Sequence, residues 1–247
     1  ALDAMGGDHA PASVIEGAAI ALTRYPNVRF LAYGNETKLR PVLDRFPGLA
    51  DALTVFHTEV EVASDAKPSV ALRQARGSSM YMAVDAVKNG QAAGMVSAGN
   101  TGALMAMAKL SFRTLPGIGR PAIASLFPSL RGQIVLLDLG ANIACDAVNL
   151  FQFAVMGDAF ARAVLGKQSP KIGLLNVGSE EVKGHEAVKT ASVLLREKAP
   201  SLNFYGFVEG NDITEGTVDL VNRHRSSSEV NCHVVGNDQR TRQIFPD

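Results

Sequence analysis

Residues 92–110 read AAGMVSAGNTGALMAMAKL, in which a short apolar run is followed by small polar residues and then by a helical pattern. The run AAGMV predicts a buried strand, and the pattern from Thr101 to Leu110 predicts a helix. The segment SAGNTG, Ser97 to Gly102, lies between them. Because a helix N-terminus presents unpaired N–H groups and the positive end of the helix dipole, this junction is typical of an anion-binding loop. We expect its ligand to be phosphate or a phosphorylated group.

The same alternation of short apolar runs and longer amphipathic segments continues along the chain. Strands are predicted at residues 1–3, 28–33, 53–57, 94–97, 133–138, 171–175 and 203–208. Helices are predicted at residues 11–24, 36–45, 79–88, 101–110, 146–164 and 186–198. This order favours an α/β fold, with a mostly parallel sheet and helices on both faces. The segment PGIGRP, residues 116–121, is the best candidate for a hinge or bend.

The composition of the chain favours a globular protein over a nucleic-acid-binding or secreted one. With 247 residues, of which 47% are apolar, the chain can bury the core of one large domain or two small ones. Its formal net charge of zero gives no indication of nucleic-acid binding. Cys145 and Cys232 lack metal or redox spacing and fit a reducing compartment. We recognise no secretory leader and no apolar run of about 18 residues, so we expect a cytoplasmic protein that can still contact a membrane surface.

Five predicted strands end in loops of small, amide or charged residues. Ligands of a parallel sheet bind at the carboxyl ends of its strands, so five such loops together favour one shared site. Each loop taken singly is an ordinary turn, and Asp3, Asp8 and Asp138 can equally cap helices. The residues of these loops are Gly6, Gly7, Asp8 and His9; Ser97 to Gly102; Gly140 and Asn142; Asn176, Gly178, Ser179 and Lys183; and Glu209 and Asp212.

Common cofactor motifs do not fit this chain. Gly117, Gly119 and Ala122 have dinucleotide spacing, but Pro121 interrupts them and no strand leads into them. A Walker A motif, a nucleophile elbow and a cluster with metal-ligand spacing are not found. The sequence therefore predicts chemistry on phosphate with no cofactor, bound metal or covalent intermediate.

Seven longer motifs follow one another along residues 1–219. They are ALDAMGGDHAP (1–11), KPSVALRQARGSSM (67–80), VSAGNTGALMA (96–106), RPAIA (120–124), LDLGAN (137–142), GLLNVGSEEVKG (173–184) and GFVEGND (206–212). Together they resemble the PlsX family, the bacterial phosphate acyltransferases of phospholipid synthesis. The resemblance implies transfer of a long-chain acyl group from acyl carrier protein to inorganic phosphate. It also implies a fold similar to isocitrate/isopropylmalate dehydrogenase and phosphotransacetylase, a homodimer, and a cytoplasmic enzyme that visits the membrane surface.

The chemistry of this reaction assigns roles to the loop residues. Phosphate dianion is a competent nucleophile, so acyl transfer from a thioester depends on positioning more than on a strong base. We expect backbone N–H groups of residues 99–102 and around Gly178 to hold phosphate. Asn100, Asn142 or Asn176 would then stabilise the oxyanion. The further binding candidates are Gly6, Gly7, Asp8, Ser97, Gly99, Thr101, Gly102, Gly140 and Ser179.

Two residues are candidates for the acid that protonates the leaving thiol, namely His9 and Lys183. Replacement of Asn100 by Ala is expected to lower turnover more than stability. The carrier protein is acidic, so a locally basic surface should receive it, with Arg73 and Arg76 as first candidates. Any of these arginines can instead be an ordinary solvated charge, as can the other candidates Lys88, Arg113, Arg120 and Arg131.

Two segments depart from the family pattern. Ala144 stands where the family usually has an acidic residue, with Asp146 nearby. After Leu220 polar residues replace an expected apolar strand, which predicts an acyltransferase domain over residues 1–219, truncated or altered at its end, and an atypical tail over residues 220–247.

Three other functions remain open at this point. A phosphotransacetylase would prefer acetyl-CoA to a carrier protein. A decarboxylating 2-hydroxyacid dehydrogenase would need nicotinamide and a divalent metal. A binding module for phosphate or the carrier protein would bind without turnover.

Overall fold

A computed structural model describes residues 1–74, 76–138, 145–178 and 184–222 of the chain. The chain divides into two compact units, with unit 1 spanning Ala1–Thr114 and unit 2 spanning Leu115–Asp247. The division lies directly before the PGIGRP segment that the sequence suggests as a hinge or bend. A domain boundary near residue 219 stays a prediction.

Unit 1 is built on a three-stranded sheet with helices on both faces. Its strands are β1 (Leu2–Asp3), β2 (Phe30–Gly34) and β3 (Leu53–His57), joined in the order β1-β2-β3, and both pairings are parallel. Its helices are α1 (Ala12–Arg24), α2 (Glu36–Leu43), α3 (Pro68–Gln74), α4 (Ser79–Lys88) and α5 (Thr101–Phe112), with one 3₁₀ turn at Pro47–Leu49.

The two faces of this sheet bury different side chains because successive strand residues point in opposite directions. Ala32 packs with Ile15 of α1 and Leu39 of α2. Its neighbour Tyr33 packs with Ala83 of α4. The predicted strand at residues 94–97 is wrong as a strand, because Val96 forms only an isolated parallel bridge with Leu2 of β1.

Unit 2 contains a five-stranded sheet. Its strands are β4 (Ala124–Ser129), β5 (Gly132–Leu137), β6 (Ile172–Leu175), β7 (Phe204–Val208) and β8 (Leu220–Asn222), in the order β4-β5-β8-β6-β7. Only the β4–β5 pairing among these described strands is antiparallel. Its helices are α6 (Ala147–Leu165), α7 (Glu186–Lys198) and α8 (Gly210–Glu215).

Both faces of this second sheet are also buried. Leu220 packs in a core with Phe153 of α6 and Leu195 of α7. The next residue, Val221, packs in a separate core with Ile213 of α8. The mostly parallel α/β architecture with helices on both faces is therefore confirmed, although it is divided between two sheets.

Helix α6 illustrates how local sequence sets the ends of an element. Asp146 accepts a hydrogen bond from the N–H of Asn149 at 2.8 Å, and the Asn149 side chain accepts one from the N–H of Asp146 at 3.3 Å. Gly166 ends the helix in the left-handed conformation, with φ of 65°. This reciprocal cap and the terminal glycine satisfy backbone groups that a helix otherwise leaves unpaired.

By length and composition, α6 is also the one helix of the described residues that could cross a membrane, with a mean hydropathy of 1.2 over its most apolar window. Core helices pass the same test, and the side chains of Leu150 and Phe153 are fully buried against the sheet. The expectation that no segment meets this criterion therefore needs correction, but packing makes α6 weak evidence for a membrane span.

Several elements escape the sequence prediction for identifiable reasons. Strand β4 contains Pro128, which is tolerated because β4 is an edge strand of the sheet. Helices α3 and α8 are only seven and six residues long, too short to show a periodic pattern. The expected loss of a strand after Leu220 is wrong for Leu220–Asn222, which lie buried in the middle of the sheet.

Candidate functional site

The carboxylate of Asp3, at the end of β1, is the centre of a buried hydrogen-bond network in unit 1. Asp3 is 1% exposed. The hydroxyl of Ser79 donates to its Oδ1 at 2.5 Å, and the hydroxyl of Ser97 donates to its Oδ2 at 2.6 Å. The backbone N–H of Gly99 donates in turn to Oγ of Ser97 at 3.1 Å. The network joins the end of β1, the first turn of α4 and the SAGNTG loop.

Close backbone packing brings the first two predicted site loops together. A Cβ on Gly6 would lie 2.4 Å from Oδ2 of Asp3 and 2.8 Å from Oγ of Ser97. A Cβ on Gly99 would lie 3.2 Å from Cα of Gly6. Gly7 approaches Ala98 in the same way, since its Cβ would lie 3.0 Å from Cβ of that alanine. Only glycine allows these approaches, which explains the two glycine-rich loops.

Asn100 holds the start of α5 in place. Its Oδ1 accepts from the N–H of Ala103 at 2.9 Å, which makes it the N-cap. Its amide Nδ2 donates to the carbonyl oxygens of Ser64 at 3.0 Å and Ala66 at 2.8 Å, with a longer contact to that of Ala63 at 3.4 Å. Because the amide is engaged at both ends, Asn100 connects two segments of unit 1 in this structure.

The N-terminus of α5 leaves three donors for a ligand. The N–H groups of Asn100, Thr101 and Gly102 have no hydrogen-bond acceptor among the described residues. The Thr101 side chain is exposed, and Gly102 is half-buried. The N–H of Gly99, by contrast, is used by Ser97. Of the predicted backbone donors in residues 99–102, those of Asn100, Thr101 and Gly102 are therefore available to an anion.

Asp8 and His9 follow this network but lie outside it. Both residues are exposed. Helix α1 has Pro11 as its N-cap with no side-chain cap hydrogen bond, so the suggestion that Asp8 caps it is wrong. Asp3 is likewise no helix cap, because both oxygens of its carboxylate accept from serines. Whether His9 acts as an acid stays a prediction.

In unit 2, Asp138 follows β5 and is 1% exposed. Its backbone has the unusual φ of 62°, and its Oδ2 accepts from Sγ of Cys145 at 3.1 Å. Burial, followed by the hydrogen bond and the charge of Asp138, raises the pKa of the Cys145 thiol to about 12. This thiol is therefore protonated at neutral pH. Cys232 lies outside the described residues.

Asn176 follows β6 and is 3% exposed. Its Nδ2 donates to the carbonyl oxygen of Gly178 at 3.0 Å, and its N–H donates to that of Val208 at 2.9 Å. Gly184 has φ of 92°, and a Cβ there would overlap Oδ1 of Asn176, 1.7 Å away. Four of the predicted site residues, Gly140, Asn142, Ser179 and Lys183, lie outside the described residues.

The polar residues at the ends of β7 and β8 differ in whether their side chains are fully hydrogen-bonded. After β7, the N–H of Glu209 donates to Oδ2 of Asp212 at 2.9 Å in a reciprocal cap of α8, so these acidic residues start a helix. At the end of β8, Nδ2 of Asn222 donates to the carbonyl oxygen of Leu150 at 3.1 Å. Its Oδ1 is buried and has no hydrogen-bond partner in the part of the chain that the structure describes.

Candidate contacts for an acidic carrier lie on the surface of unit 1. Arg73 of α3 and Arg76 beyond it are exposed, and neither forms an ion pair with a residue that the structure describes. A metal site has no support in the same ranges, where no three His, Cys, Asp or Glu side chains cluster.

The contact between Asp3 and Ser79 escapes prediction from the sequence. Asp3 is expected there only as a strand end or cap, and Ser79 only as the start of a helix. The two are separated by 76 residues. No local spacing signals their contact, because it depends on the packing of α4 against β1.

Comparison with known proteins decides the family. The model of the family described as fatty acid synthesis protein matches residues 1–235. The chain belongs to this family. The match confirms the resemblance seen in the sequence motifs and extends past residue 219.

Individual relatives agree with this assignment. The chain is 63% identical over 221 residues to the phosphate acyltransferase of Rhodospirillum centenum, which covers 90% of this chain and 62% of that protein. It is 57% identical over 220 residues to the phosphate acyltransferase of Paramagnetospirillum magneticum, covering 89% and 63%. The chain therefore spans about three fifths of the length of these curated relatives.

A solved structure supports the fold. The EutD phosphotransacetylase from Staphylococcus aureus superimposes with a TM-score of 0.53 and 17% sequence identity, over 90% of this chain and 87% of that one. This likeness confirms the α/β fold that the family resemblance implies.

Proposed function

We propose that this protein transfers a long-chain fatty acyl group from acyl carrier protein to inorganic phosphate, forming acyl phosphate for glycerophospholipid synthesis. The observation that carries the proposal is the 63% identity over 221 residues to a phosphate acyltransferase. The N-terminus of α5 supports it, because the N–H groups of Thr101 and Gly102 suit an oxyanion of phosphate.

The reaction needs few catalytic side chains. A phosphate oxygen attacks the thioester carbonyl, the C–S bond breaks, and the carrier thiolate takes up a proton. Holding phosphate next to the thioester supplies much of the rate enhancement, since it replaces a bimolecular encounter by a positioned one. His9 or Lys183 would supply the proton, and Asn142 or Asn176 would stabilise the oxyanion. The engaged amide of Asn100 makes it the weaker candidate for that role.

The partners follow from the same proposal. An acidic carrier protein would contact the exposed side chains of Arg73 and Arg76. A homodimer, a cytoplasmic location and contact with the membrane surface also belong to the proposal, as implied by the family resemblance. Exchange of Arg76 for Glu should raise the KM for the acylated carrier protein and leave the KM for phosphate unchanged.

The first experiment measures acyl phosphate formation from palmitoyl-acyl carrier protein and phosphate, with acetyl-CoA as a parallel substrate. Near-UV circular dichroism of the same sample reports whether the protein is packed. We expect phosphate-dependent turnover with the carrier substrate. Turnover with acetyl-CoA alone would favour a phosphotransacetylase. A packed sample that binds phosphate and carrier without turnover would favour a binding module.

A second experiment tests the phosphate site directly by Thr101→Pro. Proline is favoured at the first position of a helix, and Asn100 before it has an extended backbone with ψ of 106°, so α5 should persist. The substitution removes one N–H donor, which should raise the KM for phosphate about tenfold. Thr101→Ala is the matched variant, because it removes the hydroxyl and keeps the N–H. Equal effects of the two variants would contradict a role for the N–H group.

A further inference from the structure

We infer that Asp3 is a positioning residue, which orients the hydrogen bonds of the phosphate loop so that the loop presents donors to its ligand. The inference rests on the proposed function, because it concerns the same phosphate site. It assigns to Asp3 a role that its position at the end of a short strand does not suggest.

The argument begins with the chemistry of the carboxylate. An ionised carboxylate can only accept hydrogen bonds, and a serine hydroxyl has one hydrogen to donate. Ser79 and Ser97 therefore both commit their hydroxyl hydrogens to Asp3, at 2.5 and 2.6 Å. Among the described residues no cationic side chain forms an ion pair with Asp3. The two hydroxyls are thus its principal side-chain partners.

Because Ser97 donates its hydroxyl hydrogen to Asp3, the direction of its hydrogen bond with Gly99 is also fixed. With its hydrogen on Asp3, Oγ of Ser97 has only lone pairs left, and it accepts from the N–H of Gly99 at 3.1 Å. The chain of donation therefore runs from Gly99 through Ser97 to Asp3. Each polar atom in this chain is used within the protein.

The result is that side-chain acceptors of the loop are occupied within the protein, whereas N–H donors remain at the start of α5. Two side-chain acceptors of the loop are engaged internally, Oγ of Ser97 by Gly99 and Oδ1 of Asn100 by Ala103. The N–H groups of Asn100, Thr101 and Gly102 at the start of α5 have no acceptor among the described residues. Consecutive N–H donors at a helix N-terminus favour an anion such as phosphate.

Asparagine at position 3 would keep the shape of the side chain and change the direction of these hydrogen bonds. Its amide nitrogen must donate, so one serine has to accept from it and release its own hydrogen. If that serine is Ser97, its Oγ must accept from both the amide and Gly99, and its hydroxyl hydrogen is released to another acceptor. A longer acid is no substitute, because Gly6 lies so close that even a Cβ there would come within 2.4 Å of the Asp3 carboxylate.

The test measures phosphate affinity by titration calorimetry on the folded protein, so that it does not depend on turnover. We expect Asp3→Asn and Ser97→Ala each to weaken phosphate binding about tenfold, and the double variant to bind no more weakly than either. Ser79→Ala is the matched control, since it removes a hydroxyl from the same carboxylate but leaves the chain from Gly99 intact; its affinity should stay within about twofold of wild type.

The outcomes separate this inference from the proposed function. Wild-type affinity for phosphate in Asp3→Asn would overturn the inference and leave the proposed function standing. Additive losses in the double variant, or an equal loss in Ser79→Ala, would also overturn it, because they indicate a general structural role. Absence of phosphate binding by the wild-type protein would overturn the phosphate site itself. If Asp3→Asn does not fold, Ser97→Ala compared with Ser79→Ala provides the same test.

Discussion

The carboxyl ends of the strands in the two units bury polar groups in different ways. In unit 1, Asp3, Ser79 and Ser97 come from three separate segments, and their side chains satisfy one another. In unit 2, Asn222 at the end of the central strand β8 leaves its buried Oδ1 unpaired. The same position in a parallel sheet can thus hold either a completed network or an unsatisfied group. The difference shows that polar residues gather at the ends of strands. Whether each buried polar group finds a hydrogen-bond partner there depends on the packing of other segments.

The largest expected effect is a loss of stability when a side chain is added to a glycine in a strand-end loop. It tests whether these loops are equally tightly packed in both units. Gly6→Ala in unit 1 and Gly184→Ala in unit 2 each place a Cβ against a buried polar side chain, 2.4 Å from Oδ2 of Asp3 and 1.7 Å from Oδ1 of Asn176. Each should lower the free energy of unfolding by about 2–3 kcal/mol, measured by urea denaturation.

Gly17→Ala on α1 is the control for these two variants, because a Cβ there would meet nothing within 4 Å. In a helix this exchange should raise stability by about 0.5–1 kcal/mol. If Gly6→Ala is as well tolerated as the control, the close approach of the unit 1 loops is not required.

Asn100 provides the next test, because it ties α5 to a neighbouring segment of unit 1. Asn100→Ala removes both the helix cap and the amide donor, and should lower the free energy of unfolding by about 2 kcal/mol. Asn100→Ser retains a capping hydroxyl and should recover about half of the loss. Turnover and stability are measured on the same samples. A large loss of turnover in Asn100→Ser with stability retained would instead support a direct role at the oxyanion.

The raised pKa of the Cys145 thiol, about 12, provides a test of the buried Asp138–Cys145 pair in unit 2. Between about pH 9 and 12 the unfolded chain loses the thiol proton while the folded chain keeps it. Unfolding then releases a proton, so stability falls as pH rises, by at most about 1.4 kcal/mol per unit. We expect Cys145→Ala to reduce this slope between pH 9 and 10.5.

Thiol labelling complements that measurement. In a Cys232→Ser background, Cys145 should resist a thiol reagent at pH 8 until the protein unfolds. Rapid labelling of the native protein would show that the Asp138–Cys145 pair is more open than the structure indicates.

The smallest expected effect is a gain in stability, in contrast to the losses predicted for the loop-glycine and Asn100 variants. Asn222→Val removes the unpaired amide oxygen from the centre of the unit 2 sheet and should raise the free energy of unfolding by about 1 kcal/mol. Asn222→Asp is the contrasting variant, since it buries a charge and should destabilise. A loss of stability in Asn222→Val would mean that the hydrogen bond to the carbonyl oxygen of Leu150 outweighs the unpaired oxygen.

Much of the fold is predictable from local pattern. Helices 79–88 and 186–198 begin and end where the sequence predicts, as does strand 53–57. Their apolar periodicity is strong, because one face of each contributes to a core. Strand β4 and the short strand β8 are missed, since Pro128 and Asn222 conflict with the usual composition of a strand.

The candidate site is predictable to a smaller extent. The glycines of the first two loops and the cap-forming Asn100 lie where the sequence places them, because turns and helix starts leave local signatures. The pairing of Asp3 with Ser79 leaves no such signature. The partners of the Ser97 hydroxyl and the Gly99 N–H cannot be assigned until their neighbours are known. Only the structure therefore removes Gly99 from the loop donors that are available to a ligand.

The amino-acid sequence by itself determined the family, the alternation of strands and helices, and the glycine-rich loops at the strand ends. These properties depend on residue order and on interactions within a few residues of one another. Only the tertiary structure decided that Asp3 collects two serine hydroxyls, that Asn100 is committed at both ends of its amide, and that Asn222 retains an unpaired oxygen. Those outcomes depend on distances between segments far apart in the chain, and hydrogen bonds form only when packing brings the donor and acceptor within about 3 Å of each other.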